Sequence, residues 1–183
     1  MKRLFVALLL LGSCASPQPA FYALAALPGT PQPPRARAVE LRRIGLAGYL
    51  DRPEIVRDSN DYRVSFQTTE RWAEPLGTLI ERVFTEDLVQ RLPGTSVYGE
   101  SGAISTRPDL VVEVDIQRLD PQAGTATLLA QIAVRPEGDK AAGAARAETV
   151  RLTMPAGATT RDLAAAESAL LGKLADAVAA RLP

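Results

Sequence analysis

Apolar and polar residues alternate most cleanly in the second half of the chain. Leu110, Val112, Val114 and Ile116 are interleaved with Glu113, Asp115 and Gln117, the period-two pattern of a strand with one face on a core. Ala126, Leu128, Ala130, Ile132 and Val134 repeat it, joined to the first run through Pro121-Gln122-Ala123-Gly124, which is turn chemistry. Val150, Leu152 and Met154 supply a third strand after the polar, small-residue stretch 136–145. Connections of this kind predict an antiparallel meander. The period changes elsewhere. Leu76, Leu79, Ile80, Val83, Phe84, Leu88 and Leu92 recur at three- and four-residue steps, so a helix is expected from Pro75 to the stop at Pro93-Gly94. Its other face, with Glu81, Arg82, Glu86, Asp87, Gln90 and Arg91, is expected in solvent. A second helix opens near Thr159 or Thr160, where Thr-x-x-Asp resembles a capping box, and buries Leu163, Ala166, Leu170, Leu171, Leu174, Val178 and Leu182.

The first half is less regular. Residues 21–24 read as a brief strand, and Pro28, Pro31, Pro33 and Pro34 make 25–37 a loop or linker. A long strand is expected over 39–50, but its apolar positions change parity, from Val39 and Leu41 to Ile44 and Leu46. One extra residue near Arg42-Arg43, a bulge, would flip the face in that way. Short strands follow at 54–56 and 62–66, with the turn expected at Asp58-Ser59-Asn60-Asp61. Together these elements predict an α+β fold: two layers, a mostly antiparallel sheet of six to eight strands, and two amphipathic helices packed on one face.

The amino terminus carries a different signal. Lys2-Arg3, an apolar run over 4–11 and small residues before Cys14 make a secretory signal peptide. Leu11-Gly12-Ser13-Cys14 resembles a bacterial lipobox, in which the cysteine becomes the lipidated first residue. Ordinary cleavage after Ala15 is the alternative. Ala15 is not an aspartate, which points to release to the outer membrane, with the domain facing the periplasm. The organisation expected is a signal peptide over 1–13, a lipidated tether over 14–20 and one domain over 21–183. Cys14 is the only cysteine, so no disulfide forms within the chain. Removal of the signal takes Lys2 and Arg3 away and leaves 19 basic against 21 acidic residues, a net charge of −2 that gives no reason to expect nucleic acid as a partner. The absence of histidine excludes Ser-His-Asp and Cys-His catalysis and histidine metal sites. No catalytic residue, metal site or cofactor is expected.

A few side chains have two readings each. Trp72, the only tryptophan, is either an interface anchor or a core residue stapling the first helix to the sheet. Tyr49 and Leu50 end a strand and either face a partner or pack inward. Arg35, Arg37, Arg42 and Arg43 either meet lipid phosphates or are solvated charges around a loop and an edge strand. Glu113 and Asp115 share a strand face and read as a solvent-facing stripe. Gly94, Gly99 and Gly102 have no phosphate-loop spacing and read as turn glycines.

One stretch carries a resemblance. Tyr49-Leu50-Asp51-Arg52-Pro53-Glu54-Ile55-Val56-Arg57, then Trp72-Ala73-Glu74-Pro75-Leu76 and Leu92-Pro93-Gly94, preceded by Phe21-Tyr22-Ala23-Leu24, resembles the ABC-type transport auxiliary lipoproteins of the PqiC (YmbA-like) family, associated with MCE-domain transporters. Members often place a proline just before the Tyr-Leu pair, where this chain has Ala47-Gly48. The resemblance implies a non-catalytic lipoprotein beside an MCE-domain tunnel protein and its inner-membrane transporter components, docking the tunnel to the outer membrane or gating lipid handover there. It makes Tyr49, Leu50, Trp72, Pro75 and Leu76 the family motif or partner interface and a homo-oligomer an option; guanidinium chemistry, apart from the resemblance, makes Arg42 and Arg43 the candidate phosphate contacts. The alternative expectation is a periplasmic carrier that holds acyl chains between helix and sheet.

Overall fold

The computed structural model of the protein describes residues 18–104, 106–137 and 147–182. The signal segment, Cys14 and most of the 136–145 connection lie outside the described residues.

The meander forms as its alternation requires. β7 (Leu110–Gln122), β8 (Thr125–Pro136) and β9 (Glu148–Pro155) are consecutive antiparallel neighbours. Ala123 and Gly124, both at positive φ (48° and 77°), make the two-residue turn between the first two. Val112, Val114, Ile116, Leu128, Ala130 and Ile132 point into the core. The sheet then grows by parallel pairing. β2 (Ala38–Leu41) lies between β7 and β6 (Ser96–Gly99) and runs parallel to both. The connection from β2 to β6 carries a helix, which supplies the crossover that a parallel pair needs.

The parity change before residue 50 has a direct structural counterpart. Leu41 pairs with Val112, whereas after the interruption β3 (Gly45–Leu46) pairs Gly45 with Asp115, a register moved by one residue. The extra residue at 42–44 breaks the expected long strand into two short ones. A separate three-stranded sheet, ordered β1 (Ala20–Tyr22), β5 (Arg63–Trp72), β4 (Glu54–Asn60), holds the remaining strands. Its hairpin turns at Asp61-Tyr62, both at positive φ (51° and 62°), and not at residues 58–61. Asp58, Ser59 and Asn60 stay in the ladder opposite Ser65, Val64 and Arg63. Their turn-forming side chains are spent on a strand, while the tight turn itself joins Asp61 to Tyr62, a residue without turn chemistry.

α1 (Leu76–Arg91) begins after Pro75, and α2 (Thr160–Ala179) begins at a complete capping box between Thr159 and Asp162. The helices pack on each other, α1 beside β6 and α2 across β7, β8 and β9, over one continuous apolar core.

The polar face of α1 corrects the sequence expectation. Asp87 and Arg91 are buried, because the proline-rich segment after β1 lies across that face. The Leu27 amide donates to Asp87 Oδ1 (2.8 Å) and the Gln32 amide to the Arg91 carbonyl (2.7 Å). The Arg91 guanidinium donates to Asp176 Oδ1 on α2 (2.6 Å) and to the Leu27 carbonyl (3.1 Å), and pairs with Asp87 at 3.4 Å. Gly29 and Gly172 leave the necessary room: a Cβ at Gly29 would stand 2.2 Å from the guanidinium carbon, and one at Gly172 3.3 Å from Nη2. Burial pushes the Asp87 carboxyl up to about 6, against the Leu27 amide and Arg91, which hold it down.

A second buried acid, Glu167 on α2, has Oε2 without a hydrogen-bond partner among the described residues. Burial raises its pKa well above the usual carboxylate range, and the Asp120 charge raises it further.

Three outcomes follow from these contacts. Arg91→Ala strips the counter-charge from buried Asp87 and should destabilise the domain by about 3–5 kcal/mol, read by urea unfolding. Glu167 binds its proton more tightly folded than unfolded, so its contribution declines as pH rises from the unfolded carboxylate value toward the folded one. Glu167→Gln should therefore lose stability less steeply than the parent between mildly acidic and neutral pH; parallel melting profiles would refute this. Tyr62→Gly removes a left-handed strain of about 1 kcal/mol and should raise the melting temperature by about 2–4 °C.

Candidate functional site

The residues of the recognised stretch converge, but on the interior. β3 ends in a tight turn in which the Leu50 amide donates to the Ala47 carbonyl (2.8 Å), and this turn drives the Leu50 side chain into the core, where it is 2 % exposed. Trp72 closes β5. Its amide donates to the Pro53 carbonyl (2.9 Å), the next amide, Ala73, donates to the Tyr22 carbonyl (2.8 Å), and the indole is buried. Pro75 then caps α1, and Leu76 buries the first turn. Trp72, Pro75 and Leu76 thus carry the chain from the three-stranded sheet into the first helix.

Tyr49 is half-buried and has a polar role. Its hydroxyl donates to Asp120 Oδ2 in a short contact. Asp120 Oδ1 accepts from Ser59 Oγ (2.9 Å) and Arg118 Nε (2.7 Å), and Arg118 Nη2 donates on to Gln122 Oε1 (3.1 Å). The β7 bulge after Ile116 sets Arg118, Asp120 and Gln122 on one strand face, where β4 lies against them. Burial and the bond to Asp120 push the Tyr49 phenol well above its ordinary value. With three donors on Asp120 and a phenol held protonated, the group offers neither a free base nor a nucleophile. It fastens the hairpin to the long meander strand. Asp120 and Ser59, about 60 residues apart, share no sequence signal that could have revealed this.

The four arginines near the linker separate. Arg42 lies 3.7 Å from Glu40 and 3.9 Å from Glu100, and the Arg43 amide donates to Glu100 Oε2 (3.0 Å). The Arg43 side chain lines an open cleft of about 550 Å³ beside Asp51 and Glu81, carboxylates that oppose a phosphate there. Arg35 and Arg37 line another cleft, of about 900 Å³, with Arg107, at the carboxyl end of α1. Arg107 was not among the expected contacts, since only the parallel pairing of β2 with β7 brings it beside residues 35–37. Glu113 bonds to Arg135 (3.3 Å), and Asp115 is exposed.

Comparison with known proteins agrees with this architecture. The chain superposes on the crystal structure of an uncharacterised protein with a TM-score of 0.74 at 14% identity, over 91% of this chain and 99% of that one. It superposes on XCC0632 from Xanthomonas campestris, assigned to the DUF330 family, with a TM-score of 0.70 at 18% identity, over 87% and 92%. No curated protein matches the sequence. The family model described as the ABC-type transport auxiliary lipoprotein component matches residues 22–179, nearly the whole described domain, and the chain belongs to that family.

Proposed function

We propose that the protein is an outer-membrane-anchored, non-catalytic lipoprotein subunit of an MCE-type intermembrane phospholipid transport system, docking or gating the periplasmic tunnel at the outer membrane. The observation that carries this is the family match over residues 22–179, which makes the chain an auxiliary transport component. The lipobox at Leu11-Gly12-Ser13-Cys14 adds the attachment. Among the described residues, no helix is long and apolar enough to cross a membrane. In this reading a lipid on Cys14 holds the domain. Two or more acyl chains make such an anchor stable where one does not. The partners in this reading are an MCE-domain protein and its inner-membrane components, with a homo-oligomer of the lipoprotein compatible with the same role.

The carrier alternative fares worse. The space between helices and sheet is filled: Leu79, Ile80, Val83, Phe84, Leu128, Leu170, Leu171 and Leu174 are all fully buried in one packed cluster. An acyl chain would have to displace these side chains, and interiors packed to this density resist that. The clefts that do exist are open and lined in large part by polar and charged residues.

Cys14→Ser should move the protein from the membrane fraction to the soluble periplasm with an unchanged melting temperature, because the tether contributes nothing to the described core. Crosslinking of the native protein in cells should capture an MCE-domain protein. Retention of the variant in carbonate-washed membranes would refute the anchor, and an MCE-free crosslinking profile would refute the partner.

A further inference from the structure

Tyr62 stands out because it breaks a local rule with no gain inside the molecule. A two-residue hairpin of this kind favours Asn-Gly or Asp-Gly, since both central residues must adopt positive φ. Here the second position is a tyrosine at φ 62°, and its ring is fully exposed. Backbone strain that the surrounding structure does not use marks positions kept for a task outside the fold.

The direction of the chain says what lies beyond the tip. β1 runs parallel to β5, with Ala20 beside Glu70 and Tyr22 beside Trp72. The chain therefore enters β1 from the side of the hairpin tip. Along β5, the eight residues from Glu70 to Tyr62 span about 26 Å. The six residues from Ala20 back to Cys14 reach at most about 20 Å when fully extended. An anchor on Cys14 cannot hold a membrane well clear of the tip while β5 points at it. A tether that is less than extended drives the tip deeper.

We infer that the β4–β5 hairpin tip is a second membrane contact, in which Tyr62 enters the headgroup region of the leaflet that carries the lipid anchor. The inference rests on the lipid-anchor reading of Cys14. Tyrosine suits that depth, having an apolar ring and a hydroxyl that stays hydrated. Val64 is a partly exposed apolar neighbour. Arg63 and Asp61, both exposed, flank the ring with one charge of each sign, which fits the phosphate and ammonium of a zwitterionic headgroup. Two contacts, one covalent and one at the hairpin, fix the domain's tilt, where a lipid on a flexible tether alone would leave it free to roll.

The test uses the full lipidated chain with Tyr62→Trp, reconstituted into phosphatidylethanolamine–phosphatidylglycerol vesicles containing a lipid with a nitroxide near its headgroup. Trp72 is buried, so the parent supplies the background. The added tryptophan should shift to the blue on reconstitution and lose about half its emission to the nitroxide, while the Cys14→Ser form in the same vesicles shows neither change. If the lipidated variant floats with the vesicles but its emission stays red and open to aqueous iodide, the hairpin contact is wrong and the anchor survives. If the lipidated chain fails to float at all, both fall together.

Discussion

A single buried guanidinium ties together α1, α2 and the proline-rich segment that crosses them. Arg91 ends α1, reaches Asp176 on α2, and takes the Leu27 carbonyl from the proline-rich segment. Without that segment the face of α1 carrying Asp87 and Arg91 would be an ordinary solvated surface. With it, both charges are out of water, and each needs the other. Such a pair adds little net stability compared with well-packed apolar side chains, but it is costly to break on one side only. Its effect is positional. The chain between β1 and β2 has no regular structure to hold it, and hydrogen bonds to Asp87, Arg91 and Ser168 (Ala25 amide to Oγ, 3.1 Å) fix its path instead.

Asp120 does the corresponding work for the β4–β5 hairpin. The meander and α2 are close in sequence and bury a continuous apolar surface, so they need no such device. The three-stranded sheet is different. Its two main strands are mostly exposed beyond Val56, with too little apolar area to hold them against β7. Tyr49, Ser59 and Arg118 converge on one carboxylate there and substitute directional bonds for burial. The outer part of the β4–β5 hairpin and the proline-rich segment are thus joined by polar locks, the meander and the helices by packing. Non-local polar contacts repay their closure entropy late, which makes the hairpin tip and the proline-rich segment the natural sites of local opening.

That division also explains what the sequence could and could not disclose. Period-two and period-3.6 patterns report burial by a residue's own element, so β7, β8, β9, α1 and α2 were legible, down to the Thr159–Asp162 cap. The parity slip before residue 50 was legible for the same reason, since it records which face meets the core. What burial by another segment does to a polar face leaves no period. Asp87 and Arg91 therefore read as solvent-facing, and Asp120 did not stand out at all. The turn was expected over residues 58–61 and falls at Asp61-Tyr62, because Tyr62 departs from turn chemistry while Asp58, Ser59 and Asn60 satisfy it. The parallel pairing of β2 with β6 and β7 follows from a crossover over α1, which no window of the sequence contains.

The recognised stretch teaches a related lesson about motif and site. Leu50, Trp72 and Leu76 are interior, and Tyr49 points its hydroxyl at Asp120, so the residues that make the family recognisable are those that build the corner between β3, β5 and α1. A partner reading the surface near this corner would meet Pro75 and the exposed residues around it, with the tryptophan hidden beneath. The surfaces left for recognition are elsewhere, and they lie at opposite ends. The chain enters β1 from the side of the hairpin tip, whereas the cleft of Arg35, Arg37 and Arg107 sits where α1 ends, about 24 Å along that helix from its first turn. Among the described residues, the chain thus enters the body at the hairpin end, and the arginine cleft lies away from that entry. That polarity follows from the parallel pairing of three residues in β1 with the end of β5.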